Sequence, residues 1–499
     1  QHYIGAVSLL TDLNLTGSKV MTNALTGAHN LTVTGIAEIN DAVNISDLTV
    51  SEDVTFASTV TASAISIGGD AVINDIVIAD SLFVGGAAEL YNHVETIGDQ
   101  TVVGSVNLMD SLSLKGSDIR LGLVDGGYTL AVNSDQFTSG GIGQNSTLTG
   151  LEVVAQTGIN LLKVTVDGDV ELTAVSGDIV GHQRMQVTGH LSADTSANLL
   201  LKDVSNDFNT LSISAQNASI AELNRLTLNN VSVLGNLTVT AGNSIFDAGD
   251  LFIGGKGTFK ADNEIDLGSW GLVEETRFGQ LAVSGLTQTR ANKVTVIEED
   301  SMQIAMAAAD DLTLISEAGS LGSNLGVTLD VNDNLSLGVQ STESIGAANN
   351  PIDFTFAGDY ASSTLSLKGA DAYLTAQASL LSGQLNTSGS SVLFRSALTD
   401  TALSASMIDF LNYLFGADDA LFNEFVIIFD VKSDGVQLPE DQQDDIFAYL
   451  DKGGRTVGYV RQTEKFKQLF DLWQKYDSVF TLTVPQRDTI AAGKRFAQG

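Results

Sequence analysis

Side-chain oxygens crowd together at Asp330, Asn332, Asp333 and Asn334, the residue types and spacing that can hold calcium or another divalent cation. The same types occupy tight turns because Asn and Asp tolerate left-handed backbone, and turn residues are the simpler reading. A second acidic group, Asp430, Asp434 and Glu440, follows an apolar run, where carboxylates can serve metal or phosphoryl chemistry. It has no basic partner and no Gly-rich phosphate loop, which favours a solvated loop. Five histidines, His2, His29, His93, His182 and His190, show no ligand spacing, so no metal centre is assigned to them. Cleavage of polysaccharides needs grouped Asp or Glu beside Lys or Arg on one face. Arg120, Lys163, Arg184 and Lys202 stand isolated along the chain, and no catalytic or cofactor-binding residue is assigned. Asn-x-Ser/Thr triplets begin at Asn30, Asn44, Asn236 and Asn334, and an Asn/Thr-rich alternating chain generates these by composition.

Whatever these groups do, a repeat must position them. Four blocks recur at an interval of 17 residues: LTVTG at Leu31, LTVSE at Leu48, ISIGG at Ile65 and LFVGG at Leu82. Stacking them aligns Leu31, Leu48, Ile65 and Leu82, then Val33, Val50, Ile67 and Val84, and later Val43, Val60, Val77 and Val94. Further columns are Ala37, Val54, Ala71 and Ala88; Ile39, Phe56, Ile73 and Leu90; and a softer one of Ile45, Ala62, Ala79 and Thr96. Each block thus reads as three short strands with period-two alternation. Such strands cannot bury one face alone, but identical coils stacked on each other can. The pattern predicts a mainly β protein, a three-sided parallel β-solenoid. Thr32, Thr34 and Thr49 suggest an ice-binding Thr face, but Ser66 and Phe83 end that column.

The repeat extends back to Leu13 and forward to Thr101, then loosens into strand-like segments such as Leu161–Val170, Leu211–Ser214, Leu237–Thr240, Leu312–Ile315 and Leu365–Leu367. Of 499 residues, 49 are Gly and only 3 are Pro, as expected where every backbone N–H is needed in a ladder and corners call for positive φ. A formal net charge of -36 argues against nucleic acid and anionic membranes as partners. It favours solubility and association aided by divalent cations such as calcium. Cysteine is absent, which excludes disulfides and thiol chemistry, and no apolar run is long enough to span a bilayer. The chain starts at Gln1 without a signal-peptide pattern, as in a processed form or a fragment.

A longer echo sets Asn206–Ser214 beside Thr276–Ser284, 70 residues on. The stretch NLTVTAGNSIFDAGDLFIGGKGTFKADNEIDLGS, Asn236 to Ser269, resembles repeats of filamentous-haemagglutinin-like bacterial exoproteins, as does SIGAANNPIDF, Ser344 to Phe354. The resemblance, over roughly Leu13 to Ala376, implies a right-handed parallel β-helix, secreted to the exterior or cell surface of a Gram-negative bacterium for structural or adhesive work. Neither a two-partner secretion domain nor an autotransporter barrel is recognisable. Composition shifts near Ser396, so residues 1–395 are expected to form the solenoid and 396–499 a small α/β domain, a cap or assembly domain. Its expected strands are Phe425–Phe429, Thr456–Val460 and Val479–Val484, and its helices Ser404–Phe415, Pro439–Leu450 and Glu464–Tyr476. With only twelve residues before Leu13, little caps the first coil, and head-to-tail self-association into a filament is the leading expectation. A stalk of an adhesin that binds a host or glycan surface comes second, and a polysaccharide-active enzyme third.

Overall fold

The structure, a computed structural model, describes residues 1–3, 5–268, 275–340, 342–347, 349–357, 364–369 and 372–374, with the backbone of 371, 375–377, 384–387, 391–397, 427–429, 456–458 and 481–485. Two compact units are Gln1–Gly242 and Asn243–Gly499. The described residues form a parallel β-solenoid of about 19 turns through Gln1–Gly242 and the first part of the second unit. None of the described residues forms a helix, so no described helix is long and apolar enough to cross a membrane.

In the first unit the columns are physical. Leu31, Leu48, Ile65 and Leu82 lie in register on successive parallel strands, as do Val33, Val50, Ile67 and Val84. Val43, Val60, Val77 and Val94 form a third stack. None of these twelve side chains is more than 4% exposed. Full burial of such a side chain contributes roughly 1.5–3 kcal/mol before entropy is subtracted, so each coil holds its neighbour chiefly through these contacts. The intervening column, Thr32, Thr49, Ser66 and Phe83, faces outward.

The first column runs on after the 17-residue interval is lost. Leu82 pairs with Gln100, and the register continues through Ile119, Phe137, Ile159, Ile179, Leu199, Ala218 and Leu237. Gln100 is the polar member of this apolar column and is 2% exposed. Its amide donates to the carbonyls of Val94 (3.2 Å) and Lys115 (2.6 Å), so its burial is compensated. The predicted strand Leu161–Val170 is not one element. A strand ends at Leu161, a second spans Val164–Val166 and a third starts at Val170, because the turns at 162–163 and 167–169 break the run.

The second unit keeps the same logic with uneven coils. Ile265, Val294, Leu312, Leu335 and Leu365 stack, as do Leu267, Val296, Leu314, Leu337 and Leu367. The inward positions stay in register although the steps between them are unequal. The helices expected beyond 396 lie outside the described residues. Of that region the described backbone includes Ile427–Phe429, antiparallel to Thr456–Gly458, and Thr481–Pro485, antiparallel to Ser391–Ala397.

Glycine does less by positive φ than composition suggests. At Gly68 an added Cβ would stand 2.4 Å from the Ser51 carbonyl oxygen, and at Gly85 2.6 Å from that of Gly68. Backbone stacks on backbone at this corner, and only Gly leaves the room.

Candidate functional site

The groups with the densest chemistry are the turn carboxylates and amides, and they face the next coil. Asp12 Oδ1 accepts from the Asn30 N–H (3.0 Å), Asn30 Oδ1 from that of Asp47 (3.2 Å), and Asp47 Oδ1 from that of Ala64 (3.2 Å). A second file runs from Asp53 to the Asp70 amide (2.9 Å) and from Asp70 to the Ala87 amide (2.7 Å). Tolerance of left-handed backbone is therefore not why Asp and Asn sit here. Among described non-glycine residues, only Asn230 has positive φ. These side chains replace the strand ladder where the chain turns and backbone acceptors run out.

Where a coil is lengthened, an aspartate grips the extra loop. Asp125 accepts from the amides of Asn145 (2.8 Å) and Ser146 (3.2 Å) and from the Asn145 side chain. Asp262 accepts from the amides of Leu286, Thr287 and Gln288 and from the Thr287 hydroxyl. Burial opposes ionisation of both carboxyls, but these donors prevail and hold each below its ordinary pKa. Asp262→Ala is expected to cost about 1–3 kcal/mol of local stability and to speed cleavage at residues 286–289. Limited proteolysis with mass mapping reads this, and an unchanged rate at that loop would show that the carboxylate does not hold it.

The run at Asp330 is also committed to protein partners. Asp330 accepts from Arg290 (2.9 Å), Asp333 from Asn332 (3.2 Å), Asp311 from Asn334 (2.5 Å), and Asn334 from Thr364 (2.5 Å). Among the described residues no three His, Asp or Glu side chains form a group that could hold a metal ion. His93 Nδ1 meets the Ser113 amide at 2.8 Å and His190 Nδ1 the Thr210 hydroxyl at 2.7 Å, both between neighbouring coils. Asp430, Asp434 and Glu440 lie outside the described residues.

Two findings were hidden from the sequence. Glu222 and Glu298 are inward and at most 3% exposed. Glu222 Oε2 accepts from the Phe208 amide (2.9 Å) and Glu298 Oε1 from the Phe278 amide (2.8 Å). Phe208 and Phe278 are equivalent positions of the 70-residue echo, so one device recurs in both units. Desolvation pushes Glu222 up to about 7 and Glu298 up to about 8, against those amide bonds and helped by Asp207 and Asp300 respectively. The second is a placement: Lys163, Arg184 and Lys202 follow strands that pair in register on consecutive coils, and Arg120 does not join them.

A family described as repeats of unknown function (DUF5649) matches residues 215–271. This is a β-solenoid repeat protein. The matched segment covers the whole of the NLTVTAGNS stretch, Asn236 to Ser269, and includes the inward residues Ile220, Leu237, Ile253 and Ile265. No curated protein and no solved structure matches the chain.

Proposed function

We propose that this chain is a non-catalytic structural protein of the bacterial exterior. In this reading it is a right-handed, three-sided solenoid of the filamentous-haemagglutinin type that builds surface fibres or matrix by head-to-tail association. The carrying observation is the direction of its polar groups. Strand amides and carbonyls, and the Asp12–Asn30–Asp47 file, are addressed along the stack to the adjoining coil. What a coil of this kind specifies is another coil, and one more copy joined by a contact that does not close gives an open filament. Electron microscopy of the purified full chain tests this: filaments lengthening with concentration are expected, and dispersed single particles at high concentration overturn it. Residence outside the cell is tested by protease shaving of intact cells.

Divalent cations are expected to strengthen the association by screening a chain of net charge -36, as a diffuse effect rather than through one coordinated site. Added calcium should lengthen filaments and chelation shorten them, and lengths indifferent to both would remove this role. Half-exposed Phe83, Tyr91 and Tyr128 favour a second reading, a stalk that also displays a surface for host or glycan. Binding to a glycan array, lost when these three rings are replaced by Ser, would establish it.

A further inference from the structure

Four consecutive turns of the first unit carry an unusual composition. Leu161, Gly181, Leu201 and Ile220 pair in register just before them, and Val164 with Met185 and Val187 with Phe208 just after. The turns at 162–163, 182–184, 202–206 and 223–225 therefore follow one another at one corner. That corner holds Lys163, Arg184, Lys202 and Arg225, four of the seven Lys and Arg residues between Gln1 and Gly242. The other three, Lys19, Lys115 and Arg120, are each paired with a carboxylate of their own surface. Lys163 and Lys202 are exposed and have no ion-pair partner among the described residues, while Arg184 reaches Asp207 at 3.5 Å. Beside them Leu162, Val204 and Leu223 are 40%, 71% and 48% exposed. The two unpaired lysines, Lys163 and Lys202, interleaved with exposed aliphatic groups make a surface suited to a desolvated contact with an acidic partner.

The same coils carry the matching row on another strand. Glu152 and Glu171 stack directly on each other, both exposed and without a cationic partner among the described residues. Like charges in that position repel. Cations and carboxylates are both repeated at the coil spacing of about 4.8 Å, so two copies laid side by side bring the rows into register by construction. We propose that the Lys163–Arg225 ridge docks on the Glu152–Glu171 row of a second copy of this chain, joining solenoids laterally. The contact uses two different surfaces, so it propagates instead of closing. This deepens and rests on the structural reading above, adding sideways bundling to end-to-end growth.

Sedimentation velocity of the full chain at low and high salt tests it, with Lys163→Glu/Lys202→Glu, with Glu152→Lys/Glu171→Lys, and with all four changes. Each double variant is expected to weaken association about ten-fold or more, and the four-fold charge swap to restore it. Restoration excludes misfolding as the cause. Association unchanged in both double variants overturns the ridge. So does wild-type chain that binds polygalacturonate through Lys163 and Lys202 without self-associating, which assigns the ridge to an acidic polysaccharide. Single unbundled filaments from the Lys163→Glu/Lys202→Glu variant, seen by microscopy, support the ridge as the lateral contact. Wild-type filaments that never bundle remove the ridge and leave the end-to-end reading standing; wild-type particles that neither lengthen nor bundle remove both.

Discussion

Replacing Ile65 with Asp is expected to melt the surrounding coils, while Ser66→Asp, one residue on, leaves them folded. Ile65 is 1% exposed and lies between Leu48 and Leu82, so a carboxylate there has apolar neighbours on both sides along the stack. Such a group must be buried as an unpaired charge or protonated, which costs on the order of 4 kcal/mol or more with the lost packing. Ser66 faces outward between Thr49 and Phe83, with no charge stacked on it, and a change there should stay within about 0.5 kcal/mol. Because strand side chains alternate with a period of two, a register error of one residue would exchange the two results. Urea unfolding followed by circular dichroism separates the variants. Proteolysis mapping locates the damage, since stacked coils unfold regionally. If Ser66→Asp proved the more damaging, the inward columns would be misassigned.

The inward columns were legible because two periodicities coincide there, alternation within a strand and 17 residues between coils. Past Gln100 the alternation persists but the interval does not: the steps from Ile265 to Val294, Leu312, Leu335 and Leu365 are all unequal. Turns tolerate added residues at little cost, so selection for core register leaves coil length free. Periodicity read from sequence alone fades where the structure is still ordered. The same freedom hid the basic ridge, whose members follow each other at uneven steps.

The turn polar residues were misread for a different reason. The run from Asp330 to Asn334 was read by the backbone conformation such residues tolerate, a local property, and Asp47 and Asp70 drew no reading at all. In the structure Asp47 and Asp70 serve the amides of Ala64 and Ala87, one coil away. That role follows from stacking: a turn between strands interrupts the ladder, and each unpaired N–H needs an acceptor from the coil beneath. A column of Asp or Asn at the coil interval, as at Asp12, Asn30 and Asp47, is the signal that would have shown it. Gln100 left no such signal, since its partners Val94 and Lys115 are backbone carbonyls that any sequence supplies.

Stability is expected to fall as pH rises from about 4.5 to 8, and Glu298→Gln to remove much of that fall. Burial lifts Glu298 from an ordinary 4.5 to about 8, with Asp300 adding to the shift, and lifts Glu222 to about 7, with Asp207 adding. Below the ordinary value both folded and unfolded chains hold these protons. Between the two values the folded chain retains a proton the unfolded chain has released, so each pH increment favours unfolding, and above the raised value the loss is complete. The loss is on the order of 3–5 kcal/mol for each glutamate. Burial also raises Asp266, with Glu264 adding to the shift, so the difference between wild type and Glu298→Gln, rather than the wild-type curve alone, assigns the fall to Glu298. Gln at 298 keeps an acceptor for the Phe278 amide and carries no charge, and the position suits it because Glu298 Oε2 has no hydrogen-bond partner. Glu222 differs, because its two oxygens accept from the amides of Phe208 and Asn224, and a Gln NH2 would face one of those donors. Urea melts from about pH 5 to 9 should therefore show a flatter, higher curve for Glu298→Gln and no comparable gain for Glu222→Gln. Superimposable curves for wild type and Glu298→Gln would mean that Glu298 titrates as an ordinary carboxylate and that its burial is relieved in solution.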